Sequence, residues 1–259
     1  WINMSKLFEK FDEFVKDNDP KLASTSTLKM KKELNPEIWL KNNHLFPSVR
    51  TRLLKIAQDF VDKLELNHLY PYDVTFTGSL ANYNWSEYSD IDLHVIIDLK
   101  ATGQSAELMK ELIDAKRAQW NRTHDIRVFG YEVEIYVQDK KEPHISTGVY
   151  SVMKDAWILK PRPQELDIDW EDVKRKAKFI ARRIDEVYEL FKHKKYREAY
   201  KSTNKLKDKI RKFRKCGLEH GGQYSIENLA FKLLRRSDYL GKLSSLKVMS
   251  YDQMMSMGA

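Results

Sequence analysis

Two stretches of this chain alternate acid and aliphatic residues with a period of two, and that pattern permits little except strands of one sheet. The first, Asp90-Ile91-Asp92-Leu93-His94-Val95-Ile96-Ile97, sends Asp90 and Asp92 to one face, because side chains i and i+2 of a strand share a side. Ile91, Leu93, Val95 and Ile97 take the other face. The second, Tyr131-Glu132-Val133-Glu134-Ile135-Tyr136-Val137, sets Glu132 and Glu134 opposite Tyr131, Val133, Ile135 and Val137. Laid in one sheet over one layer of helices, the two strands bring their acidic sides together. Crowded carboxylates repel one another unless a cation lies between them, and hard oxygen ligands suit Mg²⁺. An ordinary half-solvated strand alternates in the same way. What separates the two readings is the segment ahead of Asp90.

That segment begins Phe76-Thr77-Gly78-Ser79 and reaches Asp90 after a spacer of ten residues. Gly78 lets the backbone turn and approach a ligand closely. Ser79 stands at the expected start of a helix, where unpaired N–H groups and the dipole favour phosphate. Gly-Ser, this spacer and Asp-hydrophobic-Asp-hydrophobic resembles the signature of the DNA polymerase β-like nucleotidyltransferase superfamily, over roughly residues 45–160. The wider stretch, with Leu34-Asn35-Pro36-Glu37-Ile38-Trp39 ahead and His144 to Tyr150 behind, is similar to uncharacterised predicted nucleotidyltransferases encoded by bacteriophages. The resemblance implies transfer of a nucleotide from ATP or another nucleoside triphosphate with two Mg²⁺ ions, or Mn²⁺ in their place. Asp90 and Asp92 match its catalytic, metal-binding pair, and Gly78 and Ser79 its triphosphate-binding pair. Glu134 matches the third carboxylate, with Glu132 as the alternative; many members carry Asp there. Lys154, Lys160, Arg182 and Arg183 are candidates for a basic clamp on the phosphates, and the sequence does not choose among them.

Charge bears on the acceptor. Residues 171–259 hold 23 Lys and Arg against 11 Asp and Glu, whereas the other 170 residues hold 23 against 27. Basic charge concentrated away from the acidic motif points to a polyanionic partner. The leading expectation is therefore an RNA 3′ end as acceptor. Synthesis of short oligonucleotide or cyclic-nucleotide signals is the alternative, and adenylylation of a protein or small molecule stands third. A rival of another class is a nucleic-acid-binding protein whose nucleotidyltransferase core is inactive. A single cysteine, Cys216, excludes an internal disulfide or a zinc cluster. Apolar runs are far shorter than a membrane span and no signal-peptide pattern is present, so a cytoplasmic setting is expected, a host's if the chain is phage-encoded. Trp1, Ile2 and Asn3 precede Met4 and are set aside. His94, on the Asp92 face, reads as structural rather than catalytic, and His144 and His220 lack ligand spacing.

The expected fold is α+β: a small mixed sheet flanked by helices, followed by a helical C-terminal domain. Residues 4–44 read as an N-terminal helix and linker, with Leu7, Phe8, Phe11, Phe14 and Val15 at helical spacing over 5–17. Residues 45–160 form the catalytic core. Pro161-Arg162-Pro163 is a stiff joint. Residues 164–248 form a basic helical domain of two long antiparallel helices, a loop punctuated by Gly217, Gly221 and Gly222, and a last helix opened by Ser225. Residues 249–259 show no pattern and read as a disordered tail.

Overall fold

The computed structural model describes residues 20–65, 70–102, 105–144, 146–163 and 166–257; the amphipathic segment at 5–17 lies outside them. The chain divides into two compact units, 29–165 and a second that joins the residues before Lys29 to those from Leu166 onward.

The first unit is built on a six-stranded mixed sheet in the order β3-β4-β2-β1-β5-β6. Its strands are β1 (Asp73–Thr77), β2 (Ile91–Ile97), β3 (Arg127–Val128), β4 (Tyr131–Asp139), β5 (Val149–Ser151) and β6 (Ala156–Leu159). Helix α1 (Pro47–Leu64) precedes the sheet, and α2 (Ala106–Thr123) joins β2 to β4. Pro47 suits the first turn of α1, since its missing N–H would be unpaired there in any case. Val49, Leu53, Ile56, Phe60 and Leu64 recur at steps of three and four and are all buried. They pack in one apolar cluster with Val74, Phe76, Ile91, Leu93, Val133 and Ile135. The apolar faces of both alternating strands thus turn toward the helices, as their period of two requires. Pairing of β2 with β4 is parallel, and pairing of β2 with β1 is antiparallel. Parallel neighbours need a crossover, which α2 provides.

Several expectations change here. No helix follows Ser79: residues 78–90 form a loop of turns, with one backbone bond from the Asn82 N–H to the Ser79 carbonyl. Asn82 accepts from the Tyr83 N–H, and Ser89 Oγ accepts from the Ser86 N–H. Short polar side chains that bond their own backbone compete with a helix, and here they win. Residues 29–44 belong to the sheet unit rather than to a lead-in: Leu34, Ile38 and Trp39 are buried in its core, and Trp39 Nε1 donates to the Leu80 carbonyl at 2.7 Å. The stretch expected at 150–159 as a strand or short helix is the β5–β6 hairpin, which begins at Val149.

In the second unit α3 (Trp170–Lys192) and α4 (Tyr196–Gly221) are the two long helices, followed by α5 (Ile226–Arg236) and α6 (Tyr239–Met255). Asp169 caps α3 by accepting from the Asp172 N–H, and Ser225 caps α5 by accepting from the Asn228 N–H. Three sequence expectations fail. Gly217 and Gly221 lie inside α4 rather than in a loop; a Cβ on Gly217 would come 2.5 Å from Glu227 Cβ, so this glycine permits close packing of α5. Helix α6 runs to Met255, so residues 249–255 are not a disordered tail; its weak amphipathic pattern hid it. The single last helix is instead two, broken at Asp238, whose φ of 60° is left-handed. Leu28 is buried among Val173, Ala177 and Leu233, so the residues just before the sheet unit complete the helical one.

Candidate active site on the acidic sheet face

Register fixes which side chains meet. Asp92 of β2 stands opposite Thr77 of β1 on one side and Glu134 of β4 on the other, forming a row across three adjacent strands. The next row is Thr75, His94 and Tyr136. Asp90 precedes β2 by one residue and shares the Asp92 face by alternation. Asp90, Asp92 and Glu134 are all half-buried.

Gly78 closes the row where β1 ends. Its φ is +80°, and a Cβ at this position would sit 1.7 Å from Asp92 Oδ2. The Asp92 carboxylate therefore lies against backbone that only a glycine can present. Ser79 follows, and its hydroxyl donates to Ser89 Oγ at 2.8 Å, which ties the start of the loop to the residue just before Asp90. The loop thus delivers Asp90 and Asp92 to the strand ends from a fixed direction.

Glu134 is set apart from Glu132 by its neighbours. Glu134 Oε2 accepts from the Tyr136 hydroxyl at 2.5 Å. Glu132 instead pairs in register with Arg127 of β3, whose Nη2 is 3.8 Å from Glu132 Oε2. Opposite Asp92 stands Glu134, not Glu132. Burial, the bond to Glu134 and the nearby negative charge of Asp92 push the Tyr136 phenol well above its usual range, so it remains a donor. Its ring stacks on His94 at 5.0 Å. Burial lowers the His94 pKa to about 4 against a smaller opposing effect of the Gln138 side chain, so the imidazole is neutral near pH 7. His94 Nδ1 is buried without a hydrogen-bond partner among the described residues. Tyr136 was readable in advance: in Glu134-Ile135-Tyr136 the two polar residues are i and i+2, hence on one face.

Lys154 leaves the list of clamp candidates. Its Nζ lies 3.6 Å from Asp73 Oδ2 at the far end of β1. Four steps of strand separate that end from Thr77, about 13 Å. Arg183 pairs with Glu186 within α3.

As hard oxygen donors on one face, Asp90, Asp92 and Glu134 suit a divalent cation in kind, and the missing Gly78 side chain leaves the Asp92 oxygen room against the backbone. Among the described residues, however, no three acids, histidines or cysteines are gathered into a ready metal cluster.

No family model matches the chain, and no curated protein does. Among solved structures it is similar to a STING-associated CdnE c-di-GMP synthase from Capnocytophaga granulosa, at 16% identity over 97% of this chain and 94% of that one, with a TM-score of 0.22. Likeness of that size carries no argument about activity. No helix among the described residues is long and apolar enough to cross a membrane.

Proposed function

We propose that this protein transfers a nucleoside monophosphate from a nucleoside triphosphate to an acceptor hydroxyl, releasing pyrophosphate, at the acidic face of its sheet. One observation carries the reading: Asp92 Oδ2 rests against the side-chain-free Gly78 at a strand end, with Glu134 directly opposite on the parallel neighbour. Like charges brought side by side stabilise nothing by themselves, so a purely structural sheet has no use for them.

The acceptor oxygen would attack the α-phosphorus as the bond to the oxygen bridging α and β breaks, and the hydroxyl proton would pass to solvent. Asp90, Asp92 and Glu134 would hold two Mg²⁺ ions, or Mn²⁺, whose chemistry there is to neutralise the triphosphate and acidify the attacking hydroxyl. Gly78 lets its backbone approach the phosphates without a side chain in the way, and Ser79 fixes the loop beside them. Tyr136 orients Glu134, and the neutral His94 ring behind it adds no competing positive charge. Positioning and charge stabilisation account for most of such a rate enhancement. The excess of 23 basic over 11 acidic residues beyond residue 170 favours a polyanionic acceptor, with an RNA 3′ end first.

The test is incubation of the full chain with each labelled nucleoside triphosphate and Mg²⁺, with and without RNA, followed by mass analysis. Pyrophosphate and a product heavier by one nucleoside monophosphate are expected. Absence of transfer from every triphosphate by folded protein would overturn the reading. Transfer only between free nucleotides would move the acceptor to the short-signal alternative.

A further inference from the structure

Between α3 and α4 the helical unit carries a groove of about 1150 Å³. Val187, Leu190, Leu206 and Phe213 form part of its floor, and Phe179 is 67% exposed at its side. Lys205, Lys209 and Lys212 follow one another along the α4 edge at steps of four and three, and none has an ion pair among the described residues. An apolar trough with a basic edge is the complement of an amphipathic helix that carries acid beside its apolar stripe.

We propose that the groove is filled by this chain's own segment 5–17. Leu7, Phe8, Phe11, Phe14 and Val15 fall within one stripe at 100° per residue, and Asp12 borders that stripe. Residues 5–19 hold five acids, Glu9, Asp12, Glu13, Asp17 and Asp19, against three lysines. Lengths agree: thirteen helical residues span about 20 Å, and α3 from Arg175 to Leu190 spans about 22 Å. The tether agrees as well. Pro20 is buried, and Leu22 and Ala23 pack on the apolar cluster that also contains Ile180, Leu206 and Phe213 of the groove. Three steps along the chain take Asp17 to Pro20, a reach of about 10 Å. A nucleic acid would use the lysine edge but not the aliphatic floor, so the floor decides for a helix. The inference is independent of the chemistry proposed for the sheet.

Hydrogen exchange of the full chain tests it. An isolated helix of thirteen residues is marginal in water, so slow exchange at residues 8–16 requires docking. Exchange there should be slowed about tenfold or more relative to an undocked chain. Phe179→Asp should abolish the slowing while α3 and α4 keep their own protection, which controls for folding. Lys205→Glu with Lys209→Glu should weaken it, and adding Asp12→Lys should restore part of it. Fast exchange at 8–16 in the unmodified chain would overturn the proposal, as would protection indifferent to Phe179→Asp. Protection that grows with protein concentration would assign the groove to the segment of a second copy instead. Fast exchange together with RNA binding lost in Phe179→Asp would assign it to nucleic acid.

Discussion

Two clusters of half-buried ionisable groups among the described residues are built on opposite logic. On the sheet, acid stands beside acid: Asp92 and Glu134 face each other across a parallel pair. In the helical unit, acid and base are set together: Asp185 of α3 and Lys242 of α6 act on each other's charge. Burial raises the Asp185 pKa to about 6 against the pull of Lys242, and lowers that of Lys242 to about 8 against the pull of Asp238 and Asp185. Near pH 7 both are ionised, and each makes the other tolerable in a poorly solvated place. That cluster explains itself as architecture. The sheet cluster does not, and the contrast is why it is read as a site.

The largest expected effect lies on the sheet. Asp92→Asn should lower nucleotide transfer at least about a hundredfold by removing a charge from the reacting centre. Its melting temperature should hold or rise, because a like-charge repulsion is relieved. Near-normal turnover would erase the distinction between the two clusters.

A stability effect follows in the helical unit, with the opposite sign. Lys242→Met should cost about 1–3 kcal/mol, at the low end of a broken buried pair because Asp185 is partly solvated. Asp185→Leu added to it should recover most of that loss. Denaturant unfolding of the two single variants and the double gives the coupling. Additive losses would mean that the two charges do not sustain each other.

Next comes the choice between two glutamates. Glu134→Gln should reduce Mn²⁺ binding, measured calorimetrically, several-fold more than Glu132→Gln, since Glu132 faces Arg127 instead. Equal effects would place the functional row one step along the strand.

The smallest effect is a pH slope. His94 has a depressed folded pKa of about 4 against 6.5 unfolded, so between those values the unfolded chain binds a proton that the folded chain refuses. Stability should therefore rise with pH from about 4 to 6.5 and level off above, by at most about 3 kcal/mol. In His94→Phe, which preserves the stack on Tyr136, that part of the slope should vanish.

Much of this fold was legible in the chain because burial enforces periodicity. Val49 to Leu64 at helical steps, and Ile91 to Ile97 at steps of two, gave α1 and β2 within a residue or two. The pairing of acids on one face followed from the same arithmetic. Where structure is held by side chains bonding local backbone, no period exists to read. Ser79 to Ser89 is such a stretch, and the helix expected there is a loop. Residues 29–44 are another, fixed by Asn35 accepting from the Glu37 N–H and donating to the Tyr131 hydroxyl 96 positions away. Partner choice at the site was also hidden. Nothing local in the sequence says that Arg127 takes Glu132 and leaves Glu134 to face Asp92; that is a property of strand register.

Register also sets an order of events during folding. β1 and β2 are joined by the loop 78–90 with no other strand between them and can pair early, bringing Asp92 against Gly78. Glu134 arrives only when β4 docks in parallel, after the intervening residues have folded as α2 and closed the crossover. Contacts this distant in sequence form late, because the closure entropy precedes any reward. The two carboxylates should thus meet only once β1, β2 and the α2 crossover have formed, on a scaffold that already holds Asp92 in place. A chain cut short between residues 98 and 130 would keep the Asp92 half of the site and have nothing to oppose it.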